Sequence, residues 1–334
     1  MQDVGIRLLG SLYGQLMIDE QWSVHRERGF TWWSYRLAQH VEVDEPVESQ
    51  GLTVCKVRIC TELVREVDSS TDPARLVGAF NAQATLNALV WDADAATISE
   101  CCTAVIHDEI FDWMSKVLAT AAILQNASAT NRARGLAEMT GGVPAATTHP
   151  TSGQRADMDE ILNVLQVVVQ EGQQPSRFTG RKMDGVGRFL VDMNFLGSAD
   201  ATGLTCEVPF IGGAPAITLS SERGDTLQTS LVQVLSDVPH PEAGSGVLTI
   251  MRLPISPAPE SVSIIANDLN VAEAHGASMA HLLGSWCPDP ADSAQRTVAY
   301  CSFVPNFLSR WVRIDNLVLD CSVHSHFAAA YLNA

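Results

Sequence analysis

The sequence predicts an α+β protein of two tandem domains, each an antiparallel sheet packed on helices. Three observations predict it. At 334 residues the chain is longer than one compact core usually holds. Strand-like alternation and helix-like periodicity occur in both halves, in a similar order. A Gly/Pro/Ser/Thr-rich stretch, TGGVPAATTHPTSGQ, separates them. The division is therefore residues 1–139, a linker at 140–154, and residues 155–334, with the order α-β-β-β-α-β-β-α expected in each domain.

The first domain opens on a helix with Ile6, Leu9, Tyr13, Leu16 and Met17 on one face, ending near RERGF. Two long strand runs follow, FTWWSYRLAQHVEVDEPV and LTVCKVRICTELVREV. The second puts Val54, Lys56, Arg58 and Cys60 on one face and Cys55, Val57 and Ile59 on the other. STDP starts a helix, with Asp72 as N-cap and Pro73 at the first helical position. That helix is expected to bury Leu76, Phe80 and Ala84. NALVWDADAATISECCTAVIH gives two strands joined at Asp92–Ala96. EIFDWMSKVLATAAILQ is helical, with Ile110, Met114, Val117, Ala121 and Leu124 on one side.

In the second domain, DMDEILNVLQVVVQEG is helical; GLTCEVPF, AITLSSER, TSLVQVLSD and VLTIMRLP are strands. ESVSIIANDLNVAEAHG is a helix, with Ile265, Leu269 and Ala272 on one face. HLLGSWCPDPADSAQRTVAYCSFVPNFL is a hairpin, and the chain closes on a helix through SVHSHFAAAYLN. The tails of the halves align: a helix with an Asn (Asn81, Asn270), a strand with a Trp (Trp91, Trp286), an Asp-bearing turn, then a strand around a Cys (Cys101, Cys301).

Composition limits function. With 46% hydrophobic and 18% charged residues the chain can bury a core. A net charge of -17 argues against a nucleic-acid partner, which needs a basic footprint. No run approaches the roughly 20 apolar residues of a membrane helix, and the N-terminus lacks a signal-peptide pattern, so a cytoplasmic chain without membrane insertion is expected. The eight cysteines are then expected reduced, as small buried hydrophobes. There is no HExxH, GxSxG, P-loop or CxxC pair, and DGVGRF has only two glycines of a dinucleotide fingerprint.

Each remaining candidate has a packing alternative. His324 and His326 are two apart on a helix and point about 200° apart, so one ion cannot bind both; a surface or C-terminal-cap role is expected. Cys287, Cys301 and the Cys101–Cys102 pair lie in apolar strands, where packing outweighs nucleophilic chemistry. Asp92, Asp94, Asp289 and Asp292 fall where turns form. Arg177, Arg181, Lys182 and Arg188 make one basic island, whose glycines suggest a mobile loop that balances charge or contacts an acidic partner. Trp32 and Trp33 alternate on a strand, so one of them is a candidate for an exposed contact. These six residues are the candidate partner-binding set; no catalytic, cofactor or metal residues are expected.

Through LNVAEA, LLGSWCPDP, RTVAYCSFVPN and the closing helix, and more loosely through FNAQATLNALVWDAD, the chain resembles tandem YbjN-like domains, the architecture of class I type III secretion chaperones. The resemblance implies a bacterial, non-enzymatic adaptor or chaperone-like protein without a cofactor. Its partner would be another protein, bound by an exposed sheet or groove, and a homodimer is a further implication. Two fused copies would mimic such a dimer in one chain. Residues 175–202 have no counterpart in the pattern. The alternative is a small-ligand sensor or enzyme with a pocket between the domains.

Overall fold

The structure is a computed structural model that describes residues 3–49, 51–163, 177–193, 195–200, 202–211, 228–276, 278–308 and 310–333. It is an α+β fold with two antiparallel sheets and their helices. The first half contains α1 (Val4–Gln15), β1 (Ser23–Arg26), β2 (Gly29–Trp33), β3 (Ala38–Val43), β4 (Val47–Ser49), β5 (Leu52–Arg65), α2 (Pro73–Asn81), β6 (Ala88–Asp92), β7 (Thr97–Ile106), α3 (Phe111–Thr140) and β8 (Val143–Pro144). The second contains α4 (Arg177–Asp192), β9 (Gly197–Ala199), β10 (Gly203–Pro209), β11 (Thr229–His240), β12 (Gly244–Arg252), α5 (Pro259–His275), β13 (Ser285–Pro288), β14 (Val298–Pro305) and α6 (Ile314–Leu332). The expected strand AITLSSER and most of the expected helix after Asp157 lie outside the described residues.

The first sheet runs β1-β2-β3-β5-β7-β6 and the second β9-β10-β11-β12-β14-β13. The two orders correspond strand for strand, and α2 corresponds to α5. Local contacts make the repeat concrete. Asn81 of α2 clamps β6: its Nδ2 donates to the Leu89 carbonyl at 2.9 Å and its Oδ1 accepts from the Leu89 N–H at 2.8 Å. Asn270 of α5 does the same to Trp286 of β13, at 2.8 Å both ways. Register then pairs Ala88 with Cys101 and Ser285 with Cys301. The Asn and Cys alignments therefore hold. The Trp alignment shifts by two, because Leu89 is the equivalent of Trp286, and Trp91 that of Pro288.

The halves are joined by exchanged contacts. Helix α2 packs on α5 and β13, and α5 packs on β6. Asn267, one turn before Asn270, holds the Trp91 backbone with two hydrogen bonds of 2.9 Å. At the equivalent place on α2 stands Gly78, where an added methyl would lie 3.0 Å from Pro288 Cδ. This close approach corrects the expected face of α2. The buried residues are Ala74, Val77, Gly78 and Asn81, while Leu76 and Phe80 are half-buried. Lys56 of β5 crosses the junction to cap the C-terminus of α5, donating to the carbonyls of Glu273 (2.9 Å) and Gly276 (2.8 Å). One apolar cluster runs through both halves, from Val4 to Ala328.

Three further differences have simple causes. The run 30–47 is not one strand; it breaks at 34–37 into the β2–β3 hairpin and resumes as β4. The segment 140–154, expected as a linker, lies along the first sheet: Ala145 N donates to Leu63, Thr147 N to Arg36, and His149 is buried against Trp33. Cys60 and Cys101 oppose each other across β5 and β7, Cα atoms 4.3 Å apart, and form a disulfide, so the all-reduced expectation is corrected. Comparing cysteines within one strand could not show a pair that register brings together. The other six are buried.

Glu100 of β7 is buried, with Oε2 lacking a hydrogen-bond partner. Burial raises its pKa to about 7, against the opposing pull of Arg132. A carboxyl raised in the folded state contributes stability that is present below its ordinary value near 4.5 and lost as pH rises through about 7. Glu100→Gln is therefore expected to raise unfolding free energy at pH 8 on the order of 2 kcal/mol. Urea unfolding at pH 4.5 and 8 checks this; a variant equally or less stable at pH 8 contradicts it.

Candidate functional site

A cavity of about 560 Å³ lies where the halves meet. The first half supplies Leu52 and Val54 of β5, Val105 of β7, and Trp113 and Val117 of α3. The second supplies Tyr300, Ser302 and Val304, alternate residues on one face of β14, with Leu283 and the α6 residues Asn316, Leu317 and Asp320. Asn316 and Asp320 share a helical face by their spacing of four. Leu52 and Met279 are exposed and stand among the lining residues.

Few polar groups interrupt these walls. Thr249 of β12 pairs in register with Ser302 of β14. The Ser302 hydroxyl donates to the Leu283 carbonyl at 2.5 Å. Thr249, only 1% exposed, has no partner for its hydroxyl among the described residues. His107, just past β7, likewise leaves Nδ1 buried without a partner.

Behind one wall is a charged network. His324 of α6 is wholly buried between two carboxylates: Nδ1 is 2.7 Å from Glu273 Oε1, and Nε2 is 3.5 Å from Asp320 Oδ2. Its Nε2 is also 3.2 Å from the His281 carbonyl, to which the Tyr300 hydroxyl donates at 3.1 Å. The Tyr300 ring lies on the imidazole, centroids 3.8 Å apart. Asp320 Oδ1 accepts the His281 N–H at 3.0 Å. Burial alone would lower the His324 pKa, but Glu273 and Asp320 overcome it and raise it to about 10. Burial would raise Asp320; His281 and His324 outweigh it and hold Asp320 below its ordinary range. His324 is thus an interior cation, which corrects the expected surface or cap role. His326 does point elsewhere, to the Ile211 carbonyl at 2.9 Å.

Of the residues expected to bind a partner, Trp32, Trp33 and Arg188 are not among those lining this cavity. Trp32 is wholly buried, its Nε1 donating to Gln39 at 2.7 Å. Trp33 is 7% exposed and donates to Thr147. Neither indole is the exposed contact that strand alternation suggested, because the segment 140–154 and α3 cover this part of the sheet. The basic island is helix α4 rather than a loop; Arg188 is exposed, and the side chains of Arg177, Arg181 and Lys182 lie outside the described residues.

The thiols and turn aspartates follow the packing expectation. Cys287 is buried, and its pKa is raised by the hydrogen bond with Cys301 and then by burial. Asp92 and Asp292 accept backbone N–H groups within their turns. Asp289 does the same and also pairs with Arg252, a contact that local sequence does not reveal.

Sequence reading named His324 but gave it the wrong role, and it missed Glu273, Asp320, His107 and Thr249. The available signal was the Asp320–His324 spacing of four on the C-terminal helix. Among the described residues no group of three or more His, Cys, Asp or Glu could hold a metal ion, and no helix is long and apolar enough to cross a membrane. Compared with protein-family models, curated proteins and solved structures, the chain matches none of them.

Proposed function

We propose that this chain is a small-molecule binding protein that holds a mainly apolar ligand between its two halves. The observation that supports this reading is the junction cavity. Its 560 Å³ falls in the range of ligand sites, and its apolar walls carry a few converging polar groups. Binding is favoured over catalysis by the acids on the wall. Burial, more than the neighbouring carboxylates, pushes the Tyr300 hydroxyl and the Cys321 thiol well above their ordinary ranges, making both poor nucleophiles.

A neutral solvatochromic dye, Nile red, tests the reading. The protein is expected to bind it saturably, one per chain. Leu317→Trp, which fills the cavity from a half-buried position, is expected to weaken binding at least about tenfold. No saturable binding, or unchanged binding in the variant, defeats the proposal.

The second reading is the protein-binding adaptor that the resemblance to YbjN-like domains implies. The duplicated sheet-on-helix plan supports it, as does one sheet face: Leu231 and Leu235 of β11 are 37% and 38% exposed. Leu231→Lys/Leu235→Lys separates the readings, because it removes an adaptor surface and leaves dye binding intact.

A further inference from the structure

Resting on the cavity reading, we propose that the ligand is an apolar organic amine whose ammonium group docks at Asp320. No lysine or arginine is among the described residues lining the cavity. Among the described residues, an anionic amphiphile would therefore meet no lysine or arginine, and burying its charge unpaired is strongly unfavourable. The nearest fixed cation, His324, is already held by Glu273 and Asp320. Glu273 and Asp320 both face the buried His324 ring, and Asp320 Oδ1 also lies 3.7 Å from the His281 Nδ1 on the cavity wall.

Asp320 also has unused capacity. Its Oδ1 takes one N–H from His281, and its Oδ2 sits 3.5 Å from His324, which leaves lone pairs on both oxygens. A second, independent observation comes from β12. The Thr249 hydroxyl is buried on the cavity wall with no partner among the described residues. An unpaired hydroxyl in such a place is costly unless something meets it, and a ligand's N–H group can. An ammonium has three donors and no acceptor, which matches a wall with spare acceptors. The apolar remainder of the ligand would lie on Val54, Val105, Val117 and Leu317.

The test uses three probes of one chain length, octylamine, octanol and octanoate, titrated against the intact chain by displacement of Nile red. Octylamine is expected to bind about tenfold more tightly than octanol, and octanoate most weakly. Asp320→Asn should bring octylamine down to the octanol level. Asn316→Lys, one turn away on the same helical face, should reverse the order and favour octanoate; it decides the matter if the Asp320 variant fails to fold. Octanoate binding as tightly as octylamine overturns the ammonium assignment, as does an amine preference unchanged by these variants. If Nile red binds but all three probes bind equally, the cavity reading stands and only the ammonium falls. If Nile red itself does not bind, both fall.

Discussion

His324→Leu is expected to lower the unfolding free energy by about 3–5 kcal/mol, because it leaves the buried Glu273 and the half-buried Asp320 without their shared cation. The full interior position of the pair is what makes the effect large; exposed ion pairs of similar geometry contribute about 0–1 kcal/mol. The same group sets a pH dependence. An imidazole raised from 6.5 to about 10 contributes stability that is complete below pH 6.5 and declines as pH rises toward 10. Lys56 acts in the opposite sense. Burial, chiefly, and then the Arg58 charge lower it from 10.5 to about 8, so its folded-state penalty is relieved between pH 8 and 10.5. Glu100 also loses stability at the lower end of the window from 6.5 to 8, but both chains carry it, so the difference between wild type and variant across that window isolates His324. Urea unfolding should show the wild-type chain losing stability across that window and the variant much less so. Parallel curves would show that the imidazole is neutral in the folded chain.

The second large effect is expected at the asparagine clamps. Asn270→Ala orphans both the N–H and the carbonyl of Trp286, each buried, at about 1–3 kcal/mol per group. Asn81→Ala should match it, since Leu89 is held in the same two-way fashion. Asn267→Ala, acting on the half-buried Trp91 backbone across the junction, should have a smaller effect, about 1 kcal/mol. Amide hydrogen exchange gives a local readout: the Trp286 N–H should lose protection in Asn270→Ala and keep it in Asn267→Ala. A Trp286 amide that stays protected without its asparagine would remove the clamp from the account.

Local chemistry made much of the fold legible. Asp72 and Pro73 start α2 as their types require, and the β6–β7 and β13–β14 hairpins fall where Asp-rich turns interrupt alternation. The buried faces of α3 matched its periodicity. Faces were misjudged where two helical stripes are nearly equally apolar. On α1 the core takes Leu8 and Leu12 beside the expected Leu9 and Leu16, while Met17 is exposed. On α2 the need for small residues against Pro288 outweighs the larger Leu76 and Phe80. The site was far less legible. Glu273 and His324 are 51 residues apart, and Lys56 reaches a helix end 217 residues away. No local pattern encodes such meetings. Trp32 and Trp33 drew attention as aromatics, yet alternation on a strand gives facing and not exposure when both faces are covered.

The clamps also measure how the halves differ. From asparagine to clamped residue the chain runs 8 positions in the first half and 16 in the second. The longer path contains Met279, His281 and Leu283, all on the cavity wall. Two identical subunits related by a rotation axis must build every feature twice, and a lengthened loop would enter the junction from both sides. A fused pair is free of that constraint. One copy can lengthen a single connection to furnish a chamber while its twin keeps the short path and supplies an unbroken wall. Lengthening the first-half path between Asn81 and Leu89 to match would restore the symmetry and give the junction two competing insertions.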